Sequence, residues 1–289
     1  MQEKILFDIK IKRIYNFRKH GPVAQPGERS ARIRKVMGSI PTGSTRISVH
    51  IQEENTMSDK KVCMIAHRGY SSKYPDNTEI AFLKAAEHGS GGAETDVRIT
   101  KDGIFVTNHN DEVTFFDGTE LLVEEHTFAE LTEKPLENDE SDDVVYLCTF
   151  ERYLEIMRDN NMICFIELKG PYTDEQVRAV FEMCERVYDL KKCIMQSFEY
   201  DNLFKAREMF PELPLMLTYG SSKHDYKRCL ECGFSIDAYY KNITEEMIDE
   251  FHDKGLEVAL WTVNDKVALD YCLTLGVDYI ESDVFGGIE

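Results

Sequence analysis

Short apolar runs alternate with amphipathic helical patterns along the chain from residue 57 to its end. The apolar runs are rich in β-branched residues, which is typical of buried parallel strands. They predict eight strands, at residues 62–66, 93–99, 162–168, 193–197, 215–218, 235–239, 257–261 and 277–280. The patterns between them predict helices. One helix starts with a capping box of Thr173 and Gln176, and the last has Asn264 as its expected N-cap.

The number and spacing of these strands indicate the fold class. Eight strands, each followed by a crossover, lie within about 230 residues, which is the size of a single (β/α)₈ barrel. We therefore predict an α/β protein with the TIM-barrel fold. The alternative is a doubly wound open sheet, which would have its ligand site at one topological switch point.

One region departs from the plain strand–helix repeat. Asp102-Gly103 is a hairpin-turn signal, so it predicts that 104–108 forms an extra strand folded back after the second strand. Residues 110–148 follow with a polar, acidic sequence that has little periodicity. They predict a small insertion after the second strand region.

The charge of the chain divides it into two unlike parts. The formal net charge is −19, but residues 1–56 have 11 basic and 5 acidic residues and carry +6, so residues 57–289 carry −25. The stretches 23–30 and 36–45 resemble the conceptual translation of a transfer-RNA gene. We therefore expect 1–56 to be a disordered or spurious N-terminal extension and 57–289 to be the functional domain. The alternative is a basic tail that binds a partner.

Composition excludes several classes of function. The acidity of 57–289 argues against binding to nucleic acid and against docking on an anionic membrane. No stretch approaches the ~20 consecutive apolar residues of a membrane span. The eight cysteines are scattered, several of them within apolar runs, which is typical of a reducing compartment. We expect a cytoplasmic protein, and the sequence leaves its oligomeric state open.

Polar side chains lie where the predicted strands end, which is where TIM barrels build their active sites. The candidates are His67, Arg68, Glu94, Asp96, His109, Glu167, Lys169 and Trp261. Three of them, Glu94, Asp96 and Glu167, are carboxylates that would repel one another unless a cation neutralised them. Oxygen ligands without a thiol are those that Ca²⁺ and Mg²⁺ prefer. The sequence therefore predicts a divalent-metal site.

The other candidates indicate the chemistry at that site. His67 and His109 can serve as general acid and base, because imidazole titrates near neutral pH. Arg68 and Lys169 suit the oxygens of a phosphoryl group. Together with a metal, these residues predict metal-assisted cleavage of a phosphate ester.

Seven short motifs occur in an order that resembles the glycerophosphodiester phosphodiesterase family over nearly all of 62–283. They are His67-Arg68-Gly69, Pro75-Asp76-Asn77-Thr78, Glu94-x-Asp96-Val97, Thr100-Lys101-Asp102-Gly103, Val106-x-x-His109, Glu167-Leu168-Lys169 and Trp261-Thr262-Val263-Asn264. The resemblance implies a (β/α)₈ barrel with a small insertion and a divalent metal, usually Ca²⁺ or Mg²⁺. It also implies a small-molecule substrate, a glycerophosphodiester, which is hydrolysed to glycerol 3-phosphate and an alcohol.

The resemblance also implies roles for the candidate residues. The two histidines become the acid–base pair, the three carboxylates the metal ligands, the two basic residues the phosphate contacts, and Trp261 a wall for the glycerol moiety. The implied route begins with attack of the substrate's own 2-hydroxyl on phosphorus, and water then opens the cyclic phosphate. The alternatives are a phospholipase D-like lyase that stops at the cyclic phosphate and a barrel that binds a phosphodiester without turnover.

Two positions depart from the family pattern. Asp76 stands where the family usually has Glu, and Asn110 where it usually has Asp after the second histidine. If position 76 helps to hold the metal, its shorter arm would weaken or retune metal choice. If position 110 orients His109, an amide would stabilise the protonated ring less than a carboxylate and lower the pKa of His109.

Overall fold

A computed structural model describes residues 61–139, 141–220 and 225–287 of this chain. The segment 1–56, for which the sequence predicts a disordered or spurious extension, lies outside the described residues. None of the helices in the described part is long and apolar enough to cross a membrane.

Eight parallel strands close into a barrel. They are β1 (Cys63–Ala66), β2 (Gly92–Ile99), β7 (Ile163–Leu168), β8 (Cys193–Ser197), β9 (Leu215–Tyr219), β10 (Ser235–Tyr239), β11 (Val258–Trp261) and β12 (Tyr279–Ser282). Each strand pairs with the next in chain order, β12 pairs with β1, and β1 pairs with β2, where Ile65 lies opposite Gly92. This closure confirms the predicted TIM barrel and excludes the open doubly wound sheet.

Helices surround the barrel and return the chain from one strand to the next. They are α1 (Glu79–Glu87), α3 (Phe150–Asp159), α4 (Asp174–Val187), α5 (Tyr200–Met209), α6 (Tyr226–Cys232), α7 (Glu245–His252) and α8 (Lys266–Leu273), with α2 (Phe128–Leu131) in the insertion and short 3₁₀ turns at Val123–Glu125 and Leu190–Lys192. The predicted capping box of Thr173 and Gln176 is present at the start of α4.

The predicted cap of the last helix is wrong. Asp265, and not Asn264, accepts the hydrogen bond from the backbone N–H of Ala268 at the start of α8. Asn264 instead holds the end of β12, because its Oδ1 accepts the backbone N–H of Asp283 at 2.9 Å. The helix therefore starts one residue later than the sequence predicts, and Asn264 is left for the barrel mouth.

The insertion after β2 has its own small core. β3 (Phe105–Thr107) folds back antiparallel to β2, as Asp102-Gly103 predicts, and β6 (Cys148–Thr149) pairs with β3. Between them, β4 (Glu112–Thr114) and β5 (Glu120–Leu122) form a hairpin. Apolar side chains bury themselves under these elements; they are Val106, Val113, Phe115, Val123, Leu131 and Leu147. This packing brings the residues that follow β3 over the barrel mouth.

The side chains inside the barrel change from apolar to polar along five of its strands. An apolar cluster of Ile65, Phe165, Ile194, Met216 and Ala259 fills the interior, one residue from each of five strands. Because alternate residues of a strand share a face, the residue two positions later on each strand also points inward. These residues are His67, Glu167, Gln196, Thr218 and Trp261. The apolar cluster therefore supports a polar layer at the carboxyl ends of the strands.

The last strand is displaced from its predicted position. The sequence predicts 277–280, but β12 runs from Tyr279 to Ser282. Val277 and Asp278 precede the strand, where the backbone N–H of Cys63 bonds to the carbonyl of Asp278 at 2.9 Å. The shift places Glu281 within the strand. It is only 2% exposed and pairs in register with Ile65.

Candidate active site

The polar candidates meet at a cavity of about 80 Å³ at the carboxyl ends of the strands. Seven of the eight predicted site residues line it: His67, Arg68, Glu94, His109, Glu167, Lys169 and Trp261. The eighth, Asp96, contacts Arg68 and Lys169 at its edge. The remaining lining residues are Phe198, Thr218, Asp237 and Glu281. The sequence-based prediction therefore identifies residues that the fold brings together.

The three predicted metal ligands lie on two neighbouring strands. β2 pairs in register with β7, so that Asp96 lies opposite Glu167, and Glu94 is two residues before Asp96 on the same face. One carboxylate oxygen from each lies within 4.8 Å of the other two. Burial, followed by the charge of Asp96, raises the pKa of both Glu94 and Glu167. Arg68 lowers both pKa values and Lys169 lowers that of Glu167, but burial and the neighbouring carboxylate outweigh them.

Asp96 differs from its two neighbours because basic groups surround it. Its carboxylate accepts a hydrogen bond from the side-chain amide of Asn77 at 2.8 Å, and it lies 3.2 Å from Arg68 Nε and 3.3 Å from Lys169 Nζ. Burial alone would raise the pKa of Asp96, but the charges of Lys169 and Arg68 outweigh burial and lower it. Asp96 is therefore an anion at neutral pH.

Arg68 and Lys169 connect the carboxylates to one another. The Nη1 atom of Arg68 lies 3.1 Å from Asp76 Oδ2. The backbone N–H of Arg68 donates to a carboxylate oxygen of Glu94 at 3.0 Å. Lys169 Nζ lies 2.9 Å from Glu167 Oε1. Asp76 thus contacts Arg68, and its carboxylate does not belong to either candidate metal group among the described residues. The shorter side chain at position 76 therefore contacts the guanidinium of Arg68 and is not one of the candidate metal ligands.

His109 is held by Asn110 of its own loop and by Arg98 of the neighbouring strand β2. Its Nδ1 lies 2.9 Å from the side-chain oxygen of Asn110, so position 110 does orient the ring. Arg98 donates from Nε and Nη2 to the carbonyl of His109, at 3.1 and 2.6 Å, and its Nη1 pairs with Asp111 at 2.6 Å. Burial is the main cause that lowers the pKa of His109, and the charges of Arg68 and Lys169 act in the same direction.

His67 has a carboxylate partner that the sequence does not identify. Its Nδ1 lies 2.7 Å from Asp283 Oδ1, which also accepts the hydroxyl of Ser71 at 2.9 Å. The amide of Asn264 donates to the other oxygen of Asp283. Burial alone would raise the pKa of Asp283, but its hydrogen bond and charge interaction with His67 outweigh that effect and lower it. The only sequence signal was the position of Asp283 at the end of the last strand.

Two aromatic side chains form one wall of the cavity. Trp261 donates from Nε1 to the carbonyl of Asp237 at 3.2 Å, which fixes the plane of its indole. Phe198 meets it edge to face, with ring centroids 6.3 Å apart. A Cβ at Gly220 would lie 3.1 Å from the indole Cζ2, so the absence of a side chain there leaves room for Trp261. Sequence reasoning missed Phe198, whose only signal was its place after β8.

Two further carboxylates, which the sequence analysis did not select, line the cavity. Asp237 on β10 and Glu281 on β12 are each 2% exposed. Burial is the main cause that raises the pKa of both groups, and each is also raised by neighbouring carboxylates. Asp237 lay within a predicted strand, whereas Glu281 was missed because the predicted strand ended one residue before it.

The donor set fits a hard divalent cation. Glu94, Asp96 and Glu167 offer oxygen atoms that converge within 4.8 Å, and no thiol lies among them. Ca²⁺ and Mg²⁺ take carboxylate oxygens in this way. A cation there would offset the repulsion between the carboxylates, which adds to burial in raising the pKa of Glu94 and Glu167.

A closed barrel with histidines, carboxylates and basic side chains at the carboxyl ends of its strands indicates a TIM-barrel phosphodiesterase. Comparison with known proteins leads to the same class. The model of the glycerophosphoryl diester phosphodiesterase family matches residues 67–286, and the chain belongs to that family. The family membership inferred from the seven motifs is thereby confirmed.

Two bacterial relatives carry the name glycerophosphodiester phosphodiesterase. The protein from Caldanaerobacter subterraneus subsp. tengcongensis is 29% identical over 234 residues, which cover 77% of this chain and 94% of the relative. The protein from Bacillus altitudinis is 28% identical over 232 residues, which cover 76% of this chain and 94% of the relative.

Solved structures share the fold. A putative glycerophosphoryl diester phosphodiesterase from Silicibacter pomeroyi has a TM-score of 0.71 and 26% identity, covering 79% of this chain and 92% of that chain. A phosphodiesterase from Oleispira antarctica, solved with its product sn-glycerol-3-phosphate, has a TM-score of 0.68 at 23% identity, covering 76% and 92%. At that identity the second comparison supports the fold alone.

The contact between Asp283 and His67 leads to a first prediction. Asp283→Asn should lower kcat at least ~10-fold with little change in KM, because an amide can turn its NH₂ toward Nδ1 and favour the wrong tautomer of His67. Steady-state hydrolysis of a glycerophosphodiester measures this effect. Asp270→Asn, at an exposed position on α8, is the matched control. An unchanged kcat for Asp283→Asn would contradict the role.

Arg98 leads to a second prediction. Arg98→Lys should lower kcat ~10-fold and lower the free energy of unfolding by about 1–3 kcal/mol, because an ammonium cannot reproduce the planar fork that serves the His109 carbonyl and Asp111. Kinetics and denaturant unfolding measure the two effects. Arg158→Lys, on the surface, should change neither. Loss of stability with full activity would show that Arg98 does not position His109.

Proposed function

We propose that this chain hydrolyses glycerophosphodiesters to glycerol 3-phosphate and an alcohol, with a divalent cation and two histidines. The observation that carries the proposal is the convergence of His67, His109 and three carboxylates on one small cavity, in a member of this family. Lys169 and Arg68 line the same cavity and supply positive charge for an anionic substrate.

Glu94, Asp96 and Glu167 would hold the cation, which we propose to be Ca²⁺ or Mg²⁺. When bound, it would lower the pKa of the attacking hydroxyl and compensate the negative charge of the phosphodiester. The convergence of their oxygens within 4.8 Å supports this assignment. Positive charge at the mouth also matters for approach, because the region 57–289 carries a net charge of −25 and would otherwise repel an anion.

The two histidines would move the protons of the reaction. In the first step one ring nitrogen takes the proton of the glycerol 2-hydroxyl as the oxygen bonds to phosphorus, and the other ring protonates the leaving alcohol oxygen as its bond to phosphorus breaks. In the second step water adds to the cyclic phosphate with the roles reversed, and glycerol 3-phosphate results. The lowered pKa of His109 supports its role as the base in the first step, since its ring is neutral at pH 7.

Arg68 and Lys169 would contact the phosphate oxygens. Both are already bound to Asp96, so their heads are oriented before substrate arrives. Such preorganisation avoids the cost of ordering two long side chains on binding. Trp261 and Phe198 would form the wall against the carbon chain of the glycerol moiety.

The alcohol would lie in a groove that continues outward from His67 and Arg68. The groove has a volume of about 540 Å³, and Glu137 and Asp139 of the insertion line its far side. The insertion would therefore form part of the wall of the pocket for the alcohol. We also propose that the enzyme acts in the cytoplasm, which is supported by its eight free cysteines, six of them buried.

The function leads to a third prediction. The purified full chain should release glycerol 3-phosphate from glycerophosphocholine or glycerophosphoethanolamine when Ca²⁺, Mg²⁺ or Mn²⁺ is present, and EDTA should abolish the release. Phosphorus NMR distinguishes the products, since a cyclic phosphate that persists would indicate the lyase. No release from a panel of head groups with any of the three metals would refute the proposed hydrolase.

The acid–base assignment leads to a fourth prediction. His67→Ala and His109→Ala should each lower kcat by ~10² or more, because each removes a group that transfers a proton in the transition state. His126→Ala, at a 3₁₀ turn of the insertion, should keep wild-type activity. Calorimetric binding of Ca²⁺ should persist in both catalytic-site variants. If His67→Ala retained its activity, the two-histidine mechanism would be wrong.

A further inference from the structure

The bottom of the cavity is polar where the rest of the barrel interior is apolar. Thr218, Gln196, Asp237 and Glu281 come from four different strands, and each is at most 3% exposed. Thr218 and Gln196 lie two residues beyond the apolar Met216 and Ile194 on the same strands. Asp237 lies opposite Thr218, and Glu281 lies opposite Ile65. Thr218 and Gln196 belong to the same polar layer as His67 and Glu167, and Asp237 and Glu281 line the cavity beside them.

Several side-chain oxygens of this layer lack hydrogen-bond partners among the described residues. The side-chain amide of Gln196 donates to Glu281 Oε1 at 2.7 Å. Asp237 Oδ1 and Thr218 Oγ1 have no hydrogen-bond partner among the residues that the structure describes, although both side chains line the cavity. Buried carboxylate oxygens without partners are costly and are normally satisfied by a donor or a cation.

Carboxylates outnumber basic side chains around the cavity. Five carboxylates surround it or touch its edge, namely Glu94, Asp96, Glu167, Asp237 and Glu281, and two basic side chains, Arg68 and Lys169, oppose them. Arg68 is also shared with Asp76. Buried carboxylates crowded in this way are stabilised by cations or by protons.

We propose that Glu281 and Glu94, together with Asp237, hold a second divalent cation beside the first. The ligand atoms of Glu94, Glu281 and His67 lie within 4.8 Å of one another, and Glu94 also belongs to the group with Asp96 and Glu167. Asp237 is in neither group, but it lines the same cavity and its Oδ1 has no hydrogen-bond partner among the described residues. Glu94 would therefore bridge the two ions. The inference rests on the proposed function in that it takes the first metal site as given.

The donor chemistry limits which ion is expected. The free Asp237 oxygen and the two glutamates are hard ligands, which favour Ca²⁺, Mg²⁺ or Mn²⁺ over ions that select thiolate. His67 is not assigned as a ligand, because the proposed reaction uses its ring, held by Asp283 at Nδ1, to transfer a proton. A pair of ions about 3.5–4 Å apart is the arrangement that clamps the attacking and leaving oxygens in many phosphodiester-cleaving sites.

Metal stoichiometry tests the proposal. The full chain is stripped with EDTA, exchanged into metal-free buffer and titrated calorimetrically with Ca²⁺ and with Mn²⁺. We expect two ions per chain for the wild type and one for Glu281→Gln. Glu167→Gln, which changes only the first site, should also bind one. Glu257→Gln is the matched control, because Glu257 precedes β11 at the opposite end of the barrel and contacts Tyr279, and it should bind two.

If Glu281→Gln does not fold, a second measurement on the wild type tests the same site. Anomalous diffraction from wild-type crystals soaked in Mn²⁺ should then show two peaks, one of them next to Glu281 and Asp237, and Asp237→Asn should weaken that peak. A single ion per chain and a single peak, unchanged by Glu281→Gln or Asp237→Asn, would overturn the second site. Neither readout depends on turnover, so failure of the proposed hydrolysis and failure of the second site are distinguishable.

Discussion

The pairing of one buried anion, Asp96, organises the mouth of this barrel. An ionised carboxylate that is 1% exposed is stable only when basic or hydrogen-bonding groups surround it. Asn77, Arg68 and Lys169 supply those groups from the loop after β1 and from the end of β7. The same contacts hold both basic side chains at the cavity before any substrate arrives. The need to satisfy Asp96 therefore also prepares the surface that a phosphate would meet.

The two histidines of the site are oriented by chemically different partners. His67 has a carboxylate, Asp283, and His109 has an amide, Asn110. A carboxylate partner determines which nitrogen of His67 carries the proton, whereas an amide adds no charge to the ring of His109. Burial then lowers the pKa of His109. Because two rings in unlike environments are suited to opposite proton-transfer roles, this asymmetry is consistent with an acid and a base at one phosphorus atom.

Local patterns in the sequence predicted most of the framework. The β-branched runs predicted eight strands, and the Asp-Gly turn predicted the folded-back β3, because both depend on neighbouring residues alone. Seven of the eight selected polar residues line the cavity, since residues at the ends of parallel barrel strands must meet. The errors occurred where distant contacts decide. β12 begins at Tyr279, which pairs with Cys63 of β1, and Asn264 contacts the end of β12 instead of capping a helix.

The sequence by itself therefore determined the barrel, its insertion and the kinds of side chain at the strand ends, because periodicity and turn chemistry are local properties. Only the tertiary structure decided which of those side chains touch. His67 and Asp283 are 216 residues apart and meet because β12 closes the ring against β1. Asp237 and Glu281 join the site for the same reason, since strand alternation sets their direction and closure brings them together. Partners this distant depend on the geometry of the closed barrel, which no local pattern contains.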